Sequence, residues 1–288
     1  MKPAGNEGMR QDWADKAAGW VANEAIFDAV FAPVTAAILT AAAVGPGQRL
    51  LDVGCGSGAL LAAAAAAGAS AVGVDISPGM AEAARRRVPE ATVVVGDAQV
   101  VDLTAAAPGP SFDRVLSRFG VMFFDDPTAA FANIRRAAAP GGRLVFACWR
   151  GRSENPMFTL GSDILADRLD PKPADPAPGT PGPTAFADSG RLAALLGDAG
   201  WADITISPFD FSCDYGTAGG DGVEERLATV LSTSTGRLAQ QQLEPRLGPE
   251  GWSALLDDVR AVLRRHLVND AVRFPGATWL VTATNPLG

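Results

Sequence analysis

Residues 50–61 read LLDVGCGSGALL. An apolar run stops at Gly54, Gly56 and Gly58, and a run of strong helix formers follows. Glycine adopts backbone angles that a side chain forbids and lets a ligand come close to the main chain. The helix after such a turn directs free N–H groups and the positive end of its dipole at that ligand. Two templates overlap here. Gly54, Gly56 and Ala59 fit the G-x-G-x-x-G/A turn of dinucleotide-binding folds, and Gly54, Gly56 and Gly58 fit a G-x-G-x-G turn found at other adenosine-cofactor sites. The turn alone leaves both open.

The surrounding pattern sets the architecture. RLLDVG (49–54) reads as a buried strand and GALLAAAAAAG (58–68) as a helix with Gly68 just past its end. AVGVD (71–75) is a second strand, after which Ser77 caps a helix with Pro78 at its first position and Arg85, Arg86 and Arg87 near its negative end. TVVVG (92–96), FDRVLSRFG (112–120) and GGRLVFACW (141–149) supply three more strands, with a helix predicted over 127–139. Such alternation predicts an α/β fold, a doubly wound Rossmann-like sheet with helices on both faces. After residue 150 the rhythm breaks at six prolines between Pro171 and Pro183. A helix over 189–199, a strand within 202–211, a largely helical stretch over 218–268 and a last strand over 276–284 complete the reading. The expected organisation is an N-terminal helical lid over 1–48 and a core over 49–216 and 277–288, with the proline-rich loop at 150–186. A helical cap insertion occupies 217–276.

Composition narrows the function. The 288 residues carry a net charge of −8, which weighs against nucleic acid as a partner and towards a small molecule. The three cysteines, Cys55, Cys148 and Cys213, lie far apart, so neither a disulfide framework nor a metal site is expected. No apolar stretch reads as a signal core or membrane span, and the expected location is the cytoplasm. Oligomeric state, monomer or homodimer, stays open.

Asp75 ends the second strand, twenty-one positions after Gly54, where an acid can accept both hydroxyls of a ribose. Ile76 beside it is placed to pack on an adenine face. Both NAD and S-adenosylmethionine contain an adenosine, so neither residue separates them. Asp52 does: a carboxylate two residues before Gly54 is awkward against a pyrophosphate and suits the sulfonium and ammonium of S-adenosylmethionine. Asp97 of GDA (96–98) closes the third strand, where it could accept an adenine amino group. Ser117, Arg118 and Phe119 reach the carboxyl end of the fourth strand, at the crevice where ligands of such sheets bind.

With these pieces in order, residues 49–149 resemble a class I S-adenosylmethionine-dependent methyltransferase. The likeness is to the small-molecule branch similar to ubiquinone/menaquinone-biosynthesis methyltransferases. It rests on LLDVGCGSG, GVDISPGM, GDA, FDRVLSRFGVMFF and PGGRLVFACW. The resemblance implies a seven-stranded sheet whose last strand, TWLVTAT, is antiparallel. It implies that Gly54 and Gly56, with Cys55 between them, face the methionine part, Asp75 the ribose, Asp97 and Ala98 the adenine, and that Ser117 lies near the sulfonium; Arg118 beside it is a further cofactor-binding candidate.

Outside these motifs, Trp13, Trp20 and Phe27 recur every seven residues, as one packed helix face or an aromatic lid. Trp20, Phe119, Met122, Phe123 and Trp149 are the candidate acceptor contacts. His266 and Tyr215, the only histidine and the only tyrosine, are the candidate bases, although His266 in VLRRHLV reads more readily as a surface residue. The expected function is methyl transfer to a small hydrophobic or aromatic acceptor such as a quinone, polyketide or other secondary metabolite. An NAD(P)-dependent oxidoreductase and a non-catalytic methyltransferase-like scaffold are the alternatives.

Overall fold

A computed structural model describes residues 6–174, 176–177, 179–216 and 219–287; what was expected of 1–5, 175, 178, 217, 218 and 288 lies outside the described residues. The N-terminal segment forms α1 (Glu7–Ala22), α2 (Glu24–Val30) and α3 (Ala32–Ala42). The core then alternates β1 (Arg49–Val53), α4 (Ala59–Ala66), β2 (Ser70–Asp75), α5 (Pro78–Arg87), β3 (Thr92–Val95), α6 (Leu103–Ala106), β4 (Phe112–Arg118), α7 (Pro127–Ala137) and β5 (Ala138–Trp149). Next come α8 (Ser162–Ala166), α9 (Ser189–Asp198), β6 (Ala202–Asp214), α10 (Val223–Ser232), α11 (Ser234–Arg264), β7 (Leu267–Val268) and β8 (Ala271–Thr284).

The strand order is β3-β2-β1-β4-β5-β8-β6, with β7 paired to β8 at one end. Pairings from β3 through β5 are parallel, whereas β8 runs antiparallel to both β5 and β6. The main path thus has the seven strands expected. Its central strands read as continuous apolar runs because helices cover both faces: Leu50, Leu51, Val115, Leu116, Val145 and Phe146 are all fully buried. Local capping agrees with the sequence. Ser77 Oγ accepts from Met80 N at 3.4 Å, and Asp126 accepts from Ala129 N at 2.9 Å ahead of Pro127.

The last strand departs from expectation. It begins at Ala271 rather than 276, and residues 267–272 form a two-residue hairpin instead of continuing the helix. Asn269 and Asp270 take positive φ values of 49° and 61°, the conformation such hairpins require. Pro275 is tolerated inside β8 because β5 pairs only from Thr278 onward, leaving its other side without a ladder to break. The long helix α11 is also bent, at Gly248 (φ 69°, ψ 173°), between Pro245 and Pro249. Among the described residues no single helix is long and apolar enough to cross a membrane; the apolar pair α2–α3 is bent by 61° and buries Phe27, Phe31 and Ile38 in the core.

Candidate active site

Strand order reverses between β1 and β4, and the crevice outside their carboxyl ends is where ligands of such sheets bind. The turn after β1 places Gly54, Gly56 and Gly58 at φ values of 67°, 54° and 87°, all left-handed. They do different work. A Cβ on Gly54 would stand 2.7 Å from Gly120 Cα, and one on Gly58 would press on Ala84 of α5 at 3.2 Å, whereas one on Gly56 would meet nothing within 4 Å. Gly54 and Gly58 therefore serve close packing, and Gly56 leaves open space.

A cavity of about 720 Å³ occupies this crevice. Of the predicted cofactor residues, Asp52, Gly54, Cys55, Gly56, Asp75, Ile76, Asp97, Ala98 and Arg118 line it. Ser117 does not. Its buried hydroxyl donates to Val53 O (2.7 Å) and accepts from Gly120 N (3.1 Å), so it braces the wall from behind rather than facing a ligand.

The two strand-end acids differ in their partners. Asp75 accepts from Gly56 N and Ser77 N, each at 2.8 Å. Burial pushes its carboxyl up to about 6, and those two N–H groups hold it from going higher. Asp52 is 1% exposed, and neither carboxylate oxygen has a hydrogen-bond partner among the described residues. Burial pushes it up to about 7, with Arg118 opposing the rise and Asp75 adding to it. Arg118 is itself occupied: it donates to Thr35 Oγ1 at 2.8 Å and approaches Asp28 at 3.5 Å. Burial draws its guanidinium below the ordinary value while Asp28 and Asp52 hold it up.

Asp97 is engaged from a direction the sequence did not suggest. Asn6 N and Asn6 Nδ2 donate to its two oxygens at 2.8 and 3.1 Å, and Asn6 Oδ1 accepts from Asp125 N at 2.7 Å. The start of α1 is thus fastened across the end of the crevice.

An aromatic wall runs from the N-terminal helices to β5. Trp20 stacks on Phe27 at 4.1 Å, Phe27 lies 5.9 Å from Phe31, and Phe31 packs edge-on to both Phe119 and Trp149. Trp13 sits edge-on to Phe123 at 5.1 Å. The seven-residue spacing does not describe one helix, since the chain breaks at Asn23, yet Trp13, Trp20 and Phe27 all line the cavity. The predicted acceptor contacts Trp20, Phe119, Met122, Phe123 and Trp149 do so as well. Prolines 173, 176 and 183 of the proline-rich loop also line it.

Neither candidate base reaches the cavity surface. His266 is exposed beyond the end of α11. Tyr215 is buried behind the wall, its hydroxyl 3.2 Å from Arg226 Nη1 and 3.5 Å from Met157 Sδ. Asn6, Phe31, Phe158 and Arg226 line the cavity and were missed. Arg226 had a signal: in GVEERLATV it takes an apolar-stripe position with Val223, Leu227 and Val230.

Comparison with known proteins agrees with this geometry. Residues 51–146 match a family model described as a methyltransferase domain. The chain is 31% identical over 170 residues to the demethylmenaquinone methyltransferase of Renibacterium salmoninarum, covering 56% of this chain and 69% of that one. It is 36% identical over 120 residues to the aklanonic acid methyltransferase DauC of Streptomyces sp. strain C5, covering 40% of this chain and 51% of that protein. Among solved structures it is similar in fold to the phosphoethanolamine N-methyltransferase 2 of Haemonchus contortus, crystallised with S-adenosyl-L-methionine. The TM-score is 0.51 at 21% identity, covering 92% of this chain and 57% of that chain. The chain belongs to the class I S-adenosylmethionine-dependent methyltransferases. It is an S-adenosylmethionine-dependent enzyme, and the dinucleotide alternative for its glycine turn falls.

Proposed function

We propose that the chain methylates a small hydrophobic or aromatic organic acceptor, a quinone or polyketide in type, held between the glycine turn and the aromatic wall. The observation that carries the reading is Asp52. A buried carboxylate without a partner is costly unless a cation completes it, and it lines the cavity beside the open face of Gly56. These residues fit S-adenosylmethionine, whose amino acid end is cationic and whose contribution when bound is an electrophilic methyl on sulfonium.

Asp52 would hold the ammonium and the turn at Gly54–Gly56 the methionine part. Asp75, already fixed by two N–H groups, would accept the ribose hydroxyls. Ile76, Asp97 and Ala98 would flank the adenine. Phe119 and Trp149 would seat a flat acceptor, and their faces favour positive charge nearby. Residues 6–48 act as a lid and the α10–α11 region as a cap, because both supply walls of one cavity. Direct displacement needs in-line positioning and exclusion of water more than a base, which accords with Tyr215 and His266 lying off the cavity surface. The names of the relatives that act on demethylmenaquinone and aklanonic acid support the acceptor class.

A calorimetric titration with S-adenosylmethionine, S-adenosylhomocysteine and NADH tests the site. Micromolar binding of the first two and none of the third is expected, followed by turnover on a quinone and polyketide panel. Binding of NADH alone overturns the site assignment; donor binding with no turnover on any quinone or polyketide overturns the acceptor class.

A further inference from the structure

We propose that Arg226 makes the cap end of the cavity an oxyanion-selective subsite, so that the acceptor is an aromatic compound carrying a carboxylate or an ionised hydroxyl. The proposal deepens the acceptor reading above and rests on it.

Arg226 is 1% exposed, yet among the described residues it has no carboxylate partner. Its Nη2 donates to Met157 O (2.9 Å) and Leu160 O (2.8 Å), and its Nη1 to Tyr215 Oη (3.2 Å). These neutral acceptors fix the guanidinium without neutralising it. The rings of Tyr215 and Phe274 flank it at 5.5 and 5.3 Å. Its Nε–H, itself buried, has no acceptor among the described residues. Arg118, which also lines the cavity, differs in having Asp28 at 3.5 Å.

Arg226 lines the cavity together with Met157, Phe158, Ser162 and Thr229. Phe158 packs edge-on to Trp149 at 5.5 Å, so the aromatic wall leads from the strand ends towards the guanidinium. A flat acceptor lying along that wall would carry its polar end to Arg226. A buried charge that only neutral groups hold gains most from an anion placed nearby, because the low local dielectric strengthens the attraction. Thr229, one turn along α10, is one more neutral partner of Arg226: its Oγ1 accepts from Nη1 at 3.4 Å and donates to Arg226 O at 2.8 Å.

Two probe pairs differ in charge but little in shape: 2-naphthoate against 2-naphthamide, and 4-nitrophenolate at pH 8.5 against 4-nitroanisole. Their affinities are measured by calorimetry with the 288-residue chain, with and without S-adenosylhomocysteine. The anion of at least one pair is expected to bind at least ~10-fold tighter than its neutral partner, and the pair that responds distinguishes a carboxylate from an ionised hydroxyl. Arg226→Met is expected to bring that ratio to about one, by removing the charge. Arg226→Lys, which keeps a charge but not the planar fork that Met157 O and Leu160 O hold in place, is expected to cut it about threefold or more. A ratio near one for both pairs in the wild-type chain, failure of all four probes to bind, or an unchanged ratio in either variant overturns the subsite. S-adenosylhomocysteine is titrated first: its failure to bind strikes the donor reading, whereas the ratios strike only the Arg226 assignment.

Discussion

Gly54 and Gly120 meet backbone to backbone: a Cβ on Gly120 would stand 2.5 Å from Val53 O and 2.8 Å from Gly54 Cα. Ser117 closes the same junction by bonding Val53 O and Gly120 N. The ends of β1 and β4 are thereby drawn together at the point where strand order reverses. Gly120→Ala must push them apart, and overpacking of this kind costs about 1–3 kcal/mol. Gly56→Ala has no such clash; its cost is the left-handed φ of 54°, roughly 1 kcal/mol, and its methyl enters open space. Thermal melts should show the larger loss for Gly120→Ala, and donor titrations the larger loss of affinity per degree for Gly56→Ala. The reverse ranking would mean that Gly56 is a packing residue.

Asp52 links donor binding to pH. Its carboxyl is raised from 3.8 to about 7 in the folded chain, so folding favours the protonated form. That contribution is fully present below about pH 4 and is lost as pH rises through 7. At about 1.4 kcal/mol per unit, the loss approaches roughly 4 kcal/mol. Asp52→Asn should therefore raise the ligand-free melting temperature at pH 8 and flatten its decline between pH 4 and 8. The same substitution should weaken S-adenosylmethionine binding and remove the rise in affinity with pH that the wild-type carboxylate gives on ionising. A variant that melts lower at pH 8 and binds the donor unchanged would refute both halves.

Much of this was legible in the sequence because the parallel strands and the glycine turn rely on local signals. Asp52, Asp75 and Asp97 sit at strand ends whose positions follow from apolar runs, and all three reach the cavity. What was not legible depends on contacts distant in sequence. Ser117 sits at a strand end like the others, but its hydroxyl turns to Val53 O. Asn6 meets Asp97 across ninety-one residues, and Arg226 meets Met157 across sixty-nine. The hairpin at Asn269–Asp270 depends likewise on a distant partner, because β6 holds the start of β8 from one side through Pro275.

Asn6 gives the proposed lid a testable latch. Its side chain bonds Asp97 Oδ1 and receives Asp125 N, joining α1 to the segments after β3 and β4. Asn6→Ala removes both side-chain bonds while leaving the backbone bond from Asn6 N to Asp97. A loss of about 1–2 kcal/mol is expected, concentrated in α1 rather than spread over the sheet. Hydrogen exchange should quicken over residues 7–22 with β1 and β4 unchanged. Uniform quickening throughout the chain would instead make Asn6 part of the global core.

Phe119 holds a φ of 66°, a conformation a bulky residue adopts only under constraint. The constraint is visible. Its N–H donates to Ala147 O at 3.1 Å, and its ring lies parallel to Trp149 at 4.5 Å with an interplanar angle of 3°. The stack offsets strain of about 1–3 kcal/mol in the backbone, so the ring is held where the acceptor is expected. Phe119→Leu and Trp149→Leu should each destabilise the fold, and the double variant by less than their sum, with a coupling of about 0.5–1.5 kcal/mol. Phe119→Gly separates the two contributions: it removes the ring and the strain together, so it should lose less stability than ring burial alone predicts while acceptor turnover falls as far as in Phe119→Leu. Denaturant melts of the four variants check the coupling. A coupling of zero would mean that the rings are merely adjacent, and the cause of the left-handed Phe119 would then have to lie in the β4–Gly120 junction itself.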